Sequence, residues 1–305
     1  MTRNVHGILL LNKPLGISSN AALQKVKRLF QAKKAGHTGS LDNLATGLLP
    51  ICLGEATKLS GFLLSADKRY RAECVLGMTT TTADAEGEII ETRPVIGIDR
   101  PHIEAAIRVF LGEIQQVPPM YSALKHQGRP LYQLARKGQV IPRAARAVTI
   151  YEIRFIDFSE NRLTLDIHCS KGTYIRTLAE DIGNTLGCGA YVSALHRTAA
   201  GPYHDMVDLP TLEQTAQQGM AALDALLMPL DTALVGWPKL TLATPEVTRL
   251  RQGQIVTVSH HLNAGKVGIF AELLPENQSQ FAHFVGIGEI LEDGRVAPQR
   301  LMCFD

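Results

Sequence analysis

No apolar run in the 305 residues approaches the roughly 20 needed to span a bilayer, and "GILLL" at Gly7 to Leu11 is broken at once by Asn12, Lys13 and Pro14. Nothing marks secretion. The five cysteines, Cys52, Cys74, Cys169, Cys188 and Cys303, are odd in number and far apart, with neither zinc-ligand spacing nor a disulfide framework. Free thiols in a reducing cytoplasm are the expectation. Low-complexity tracts and repeats are also missing, and 45% hydrophobic with 20% charged residues describes an ordinary folded chain of one large or two unequal domains.

Acids are scarce in two places. Residues 1–72 hold eleven Lys/Arg against Asp42, Glu55 and Asp67, a net +8, so that with +2 overall the remainder carries −6. Between Glu113 and Glu152, six Lys/Arg stand among thirty-eight residues without one acid. Such segregation suits a polyanion, because phosphate neutralisation follows local charge density; two solvated basic faces are the plainer alternative.

Periodicity predicts a helix from a cap at Ser18, Ser19 or Asn20 through Leu23, Val26, Leu29 and Phe30. "RYRAECVL" alternates and predicts a strand with Tyr70, Ala72, Cys74 and Leu76 on one face. Asp99, Arg100 and Pro101 open a second helix that Gly112 stops, and "VTIYEIRF" and "LTLDIHC" are further strands. "SKGTYIRTLAEDIGNTLG" predicts a third helix, with Ile175, Leu178, Ile182 and Leu186 on one stripe and Gly187 at its C-terminus, and places Tyr174 and Arg176 at a strand-to-helix junction. From Val117 to Val148 periodicity is lost, and a protruding insertion without regular structure is expected. Beyond Pro238, "QIVTV", "KVGIFAEL", "FVGIGEIL" and the Asp293-Gly294 turn predict a small β domain, with a boundary near residues 230 to 240.

Three side chains invite two readings each. Asp42, after the Gly-rich "AGHTGSLD", is a helix cap or Asx-turn, or else the working carboxylate of a site. Arg176 is a solvent-facing base or a partner of Glu180, or else a cation of the same site. Tyr70 is core, or else part of the site. His37 has no partner at metal-ligand spacing, and no Gly-Lys-Ser/Thr follows the glycines, so neither a metal nor a nucleotide cofactor is implied.

The blocks "LNKPLGISSN", "AGHTGSLDNLATGLLPICLGEATKL", "DKRYRAECVLG", "TTTADAEG", "VPPMYSALKHQGRPLYQLARKG" and "CSKGTYIRTLAEDIG" together resemble the TruB family of bacterial tRNA pseudouridine synthases, in order over residues 7 to 200. The resemblance implies an α/β (α+β) fold: a mixed, mainly antiparallel sheet with flanking helices in a catalytic domain at 1–235, and a small C-terminal β-barrel, PUA-like, at 236–305. It implies isomerisation of uridine 55 in the tRNA T arm, without a cofactor, by a cytoplasmic monomer whose insertion at about 117–148 grips RNA. It also implies Asp42 as nucleophile, Arg176 as its ionic partner and Tyr70 stacked on the target base. Tyr174, Leu195 and Lys58 would line the pocket, and Asp84 and His37 would contact the flipped-out RNA. Asn43 stands where the family commonly has proline, which removes a φ restraint beside the nucleophile. A non-catalytic RNA-binding module and a uridine methyltransferase are the competing readings. The latter needs a thiol, the nearest being Cys52, and a methyl-donor site for which no loop is present.

Overall fold

The computed structural model describes residues 2–272 and 284–304. Nine strands form one large sheet: β1 (Gly7–Lys13), β2 (Ala35–His37), β3 (Ala45–Leu53), β4 (Lys68–Leu76), β5 (Gly112–Gln116), β6 (Arg146–Ser159), β7 (Arg162–Cys169), β8 (Ala190–Ala200) and β9 (Val207–Asp208). Their order is β9-β1-β3-β8-β4-β7-β6-β5, with β2 paired to β3. Only β1/β9 and β3/β8 run parallel, so the sheet is mixed and mainly antiparallel.

The unbroken "GILLL" run is explained by burial on both faces of β1. Leu9 and Leu11 enter the main core with Val26 and Phe30, whereas Ile8 and Leu10 pack on the other side with Leu48, Leu59 and Leu234. β4 instead alternates: Ala72, Cys74 and Leu76 are buried, while Arg71 pairs with Asp166 at 2.8 Å and Glu73 with Arg162 at 2.6 Å on the solvated face. This is the pattern of an antiparallel sheet with one face in water.

Helices Ser19–Leu29, Arg100–Arg108 and Ile175–Thr185 cover the core face. Ser18 and Asp99 cap the first two, accepting from the Ala21 and His102 amides, which satisfies N–H groups that a helix start leaves free.

Two expectations are corrected. The insertion has regular structure: short strands Lys125–His126 and Arg129–Pro130, then a helix at Leu131–Ala135 anchored by buried Leu131 and Leu134. Gln127 and Gly128 both take positive φ, at 48° and 81°, which is what a two-residue hairpin turn twisted to match its strands demands. Two-residue strands are too short to show a period. "QIVTV" is no strand either, contributing only an isolated Val256 bridge to Val296.

The C-terminal sheet comprises β10 (Lys239–Leu242), β11 (Gly265–Ala271), β12 (Phe284–Ile290) and β13 (Val296–Leu301), in that order, around a separate core containing Leu242, Leu250, Ile269 and Val285. Leu273, the last residue of the expected "KVGIFAEL" strand, lies outside the described residues. No helix among the described residues is long and apolar enough to cross a membrane.

Candidate active site

The loop between β2 and β3 carries Asp42, and residues of "LNKPLGISSN" hold that loop in place. Ser19 Oγ accepts from the Leu41 amide at 2.7 Å and donates to the Leu41 carbonyl at 2.9 Å. The Gly16 amide donates to the Asn43 carbonyl at 2.9 Å, and Lys13 Nζ lies 3.5 Å from the same oxygen. The turn at Asn43 is thus pinned from outside, which offsets the missing proline ring.

Asp42 neither caps a helix nor folds into an Asx-turn. Its Oδ2 lies 3.0 Å from Arg176 Nε, with 48% of the aspartate side chain open and only 6% of the arginine. Arg176 leaves the first turn of the Ile175–Thr185 helix and points inward, away from the solvent-facing role and from Glu180. Its Nη1 donates to the Thr82 carbonyl at 3.0 Å and lies 3.4 Å from Asp84 Oδ2, while Nη2 donates to the Tyr121 carbonyl at 2.7 Å. Tyr121 belongs to the insertion, so the insertion is fastened to the site through this guanidinium.

Asp42 borders a cleft of about 300 Å³ together with Tyr70, Tyr174, Arg176, Leu195 and Arg197. Tyr70 comes from β4 and Leu195 from β8, next to Ala72 across the ladder. Tyr174 is fixed by a reciprocal pair with the buried Gln116, whose amide oxygen accepts from the Tyr174 N–H at 2.7 Å and whose nitrogen donates to its carbonyl at 3.0 Å. A larger hollow of about 600 Å³ near Trp237 contains neither Asp42 nor Arg176. It is therefore not where the charged pair can act.

Three of the expected contacts are not among the cleft walls. Lys58 is not in the cleft: its ammonium binds Glu55 at 2.5 Å and the Leu301 carbonyl at 2.8 Å, tying the short helical turn Gly54–Leu59 to β13. Asp84 is 2% exposed, accepts from Thr82 Oγ1 at 2.5 Å and the Glu86 amide at 3.0 Å, and turns its Oδ2 to 3.4 Å from Arg176 Nη1. His37 is half-buried on β2, outside the cleft walls.

Lys13, Lys68 and Arg197 escaped the sequence reading as site residues. Lys13 is 0% exposed and donates to the Pro14 and Ile17 carbonyls; burial pushes it down to about 8, opposed by the charge of Asp42. Lys68 donates to the Leu64 and Ala66 carbonyls and is likewise pushed down to about 8, by burial first and by Arg197 second. Arg197 is 1% exposed. A usable signal existed for Lys13, which sits in "LNKPLGISSN", but bulges after Val192 and Arg197 break the alternation that would have turned Arg197 inward.

Burial pushes the Asp42 carboxyl above its ordinary value; Arg176 and Lys13 oppose this, and Asp84 adds to it. Among the described residues no three His, Cys, Asp or Glu side chains are grouped to hold a metal. What the arrangement offers is a carboxylate with one face open, a sealed guanidinium behind it and two tyrosines on the cleft walls.

The same architecture occurs in a chain of an H/ACA RNP solved with a substrate RNA containing 2′-deoxyuridine, with TM-score 0.72 at 21% identity, covering 98% of this chain and 85% of that one. That likeness concerns the fold. Residues 27–175 match the TruB family pseudouridylate synthase N-terminal domain, 176–235 the tRNA pseudouridylate synthase B C-terminal domain, and 238–302 the pseudouridine synthase II TruB C-terminal region. The chain is thus a pseudouridine synthase, an isomerase, and it belongs to the TruB family. Its relatives include tRNA pseudouridine synthase B of Nitrosococcus oceani, 53% identical over 302 residues, and that of Pseudomonas putida, 52% identical over 303 residues. Each alignment covers 98% of this chain and 96% of the relative.

Proposed function

We propose that this chain converts uridine to pseudouridine in tRNA, at position 55 of the T arm, with Asp42 as the nucleophile. The observation that carries the reading is the 3.0 Å contact between Arg176 Nε and Asp42 Oδ2, made at the edge of a cleft into which nearly half of the aspartate opens. The names of the relatives support tRNA as substrate.

The bond from uracil N1 to ribose C1′ breaks and one from C5 to C1′ forms, while the C5 proton is replaced by one on N1. Asp42 attacks C1′ or base C6, and either route divides a hard displacement into easier steps. Arg176 favours the ionised carboxylate by charge and hydrogen bonding, and Asp84 holds that guanidinium in place. The uridine must first leave its stack, at a cost of a few kcal/mol, of which stacking on Tyr70 returns about 1–3 kcal/mol. Tyr174 and Leu195 close the pocket, and Tyr70 also relays the proton. Beside the cleft, His37 contacts the extruded RNA region.

Residues 1–235 form the catalytic unit in this reading and 236–305 a PUA-like RNA-binding unit, each with its own apolar core. The basic insertion holds the RNA arm by its phosphates. One chain suffices, since a single chain supplies every cleft wall named above. Incubation with a T-arm RNA tritiated at C5 of uridine 55 tests the reading: tritium is released in proportion to pseudouridine formed. RNA binding without release would remove it.

A further inference from the structure

Arg197 carries a charge that the reaction as described leaves idle. Its Nε donates to the Leu48 carbonyl at 2.6 Å and its Nη2 to the Gly39 carbonyl at 3.0 Å. Asp42 in the cleft and the buried Asp84 behind it both pair with Arg176, and among the described residues Arg197 forms no ion pair. Its charged neighbours Lys13 and Lys68 both feel its positive charge as repulsion, and burial together with that charge keeps the nearby His37 from taking up a proton. A buried cation among cations lowers stability unless negative charge arrives to meet it.

The group it faces is Tyr70. Arg197 and Tyr70 are register partners on the antiparallel strands β8 and β4, both border the cleft, and the positive charge of the guanidinium opposes the burial that raises the phenol. On the opposite edge of β8, Gly47 of β3 brings its backbone so close that an added Cβ would stand 2.4 Å from the Arg197 carbonyl oxygen. The arginine is therefore fixed from both neighbouring strands, with its side chain braced by two carbonyls and one corner left for the phenol.

We propose that Arg197 is the positioning residue for Tyr70, orienting the phenol toward the base and stabilising the phenolate that forms transiently during proton relay. The inference rests on Tyr70 as the relay. Once C5 has bonded to C1′, the intermediate carries a C6=N1 double bond. The phenol gives its proton to N1, directly or through water, and the phenolate takes the proton from C5. The C5–H electrons close C5=C6 as the C6=N1 pair moves onto N1. One proton has passed from C5 to N1, and Tyr70 ends as it began. The unmatched charge of Arg197 meets the negative oxygen for the lifetime of that step.

The test compares single-turnover pseudouridine formation from uridine-55 RNA bearing protium or deuterium at C5, with RNA affinity measured alongside. Arg197→Gln is expected to slow the reaction roughly 100-fold and to enlarge the C5 isotope effect, with affinity retained. Arg197→Lys recovers about tenfold of that loss. In a Tyr70→Phe background Arg197→Gln adds no further loss. An unchanged isotope effect in Arg197→Gln, or an equal loss with and without the phenol, overturns the inference. Should Arg197→Gln not fold, Arg197→Lys decides: its loss of about tenfold must vanish in the Tyr70→Phe background. A Tyr70→Phe enzyme with wild-type rate and isotope effect instead removes the relay itself, and the inference with it.

Discussion

Arg176 Nε meets Asp42 Oδ2 at 3.0 Å across a steep difference in exposure, the guanidinium sealed at 6% and the carboxylate open at 48%. The cation is held by the Thr82 and Tyr121 carbonyls and by Asp84, so it does not travel with the aspartate. An anion held on one side and free on the other is what a nucleophile in a water-poor cleft requires.

The balance of forces on Asp42 sets an acid limb. Burial raises the carboxyl and the charge of Arg176 opposes it most strongly, so the reactive anion is lost as pH falls through a midpoint above the ordinary 3.8. Removing Arg176 takes away the opposing charge, and the midpoint must move further up. Single-turnover rates over about pH 4 to 8 for wild type, Arg176→Lys and Arg176→Gln should show the limb in that ascending order.

Asp84 acts through Arg176. Asp84→Asn keeps the shape and removes one of the charges that fix the guanidinium, so kcat should fall roughly 10- to 100-fold while RNA affinity stays within a fewfold. A loss of affinity without a loss of single-turnover rate would return Asp84 to the role of RNA contact.

Gly47 is a backbone requirement. Its φ is +97°, and an added Cβ would lie 2.4 Å and 2.7 Å from the backbone oxygen and nitrogen of Arg197. Gly47→Ala should cost on the order of 2 to 4 kcal/mol of stability in denaturant titration, whereas Gly36→Ala, with open space around its Cβ, should cost far less.

The insertion supplies Lys125, Arg129, Arg136, Lys137, Arg143 and Arg146, and no acid. If these hold phosphates, each Lys or Arg to Gln change should flatten the plot of log affinity against log salt by about 0.7 to 0.9 per contact. Slopes unchanged in all six variants would place the RNA grip elsewhere.

Much of this was legible in the sequence where one period rules one element. β4 shows its alternation because one face is dry, and the Arg100–Arg108 helix announces its cap at Asp99, although it ends before Gly112, which opens β5. The pairing of Asp42 with Arg176 followed from family motifs, not from spacing. What stayed hidden depended on distant contacts: the cap-like hold of Ser19 on Leu41, the turning of Asp84 onto Arg176, and the attachment of Lys58 to β13. Arg197 was hidden by the bulges that shift its strand's register.

The central claim is that the Asp42 carboxylate makes the bond that starts the reaction. It is tested most directly by single-turnover pseudouridine formation with saturating Asp42→Asn enzyme, alongside its RNA affinity. The account predicts affinity within a fewfold of wild type and a rate at least about a thousandfold lower. Pseudouridine formed by Asp42→Asn at a rate near that of wild type would contradict it.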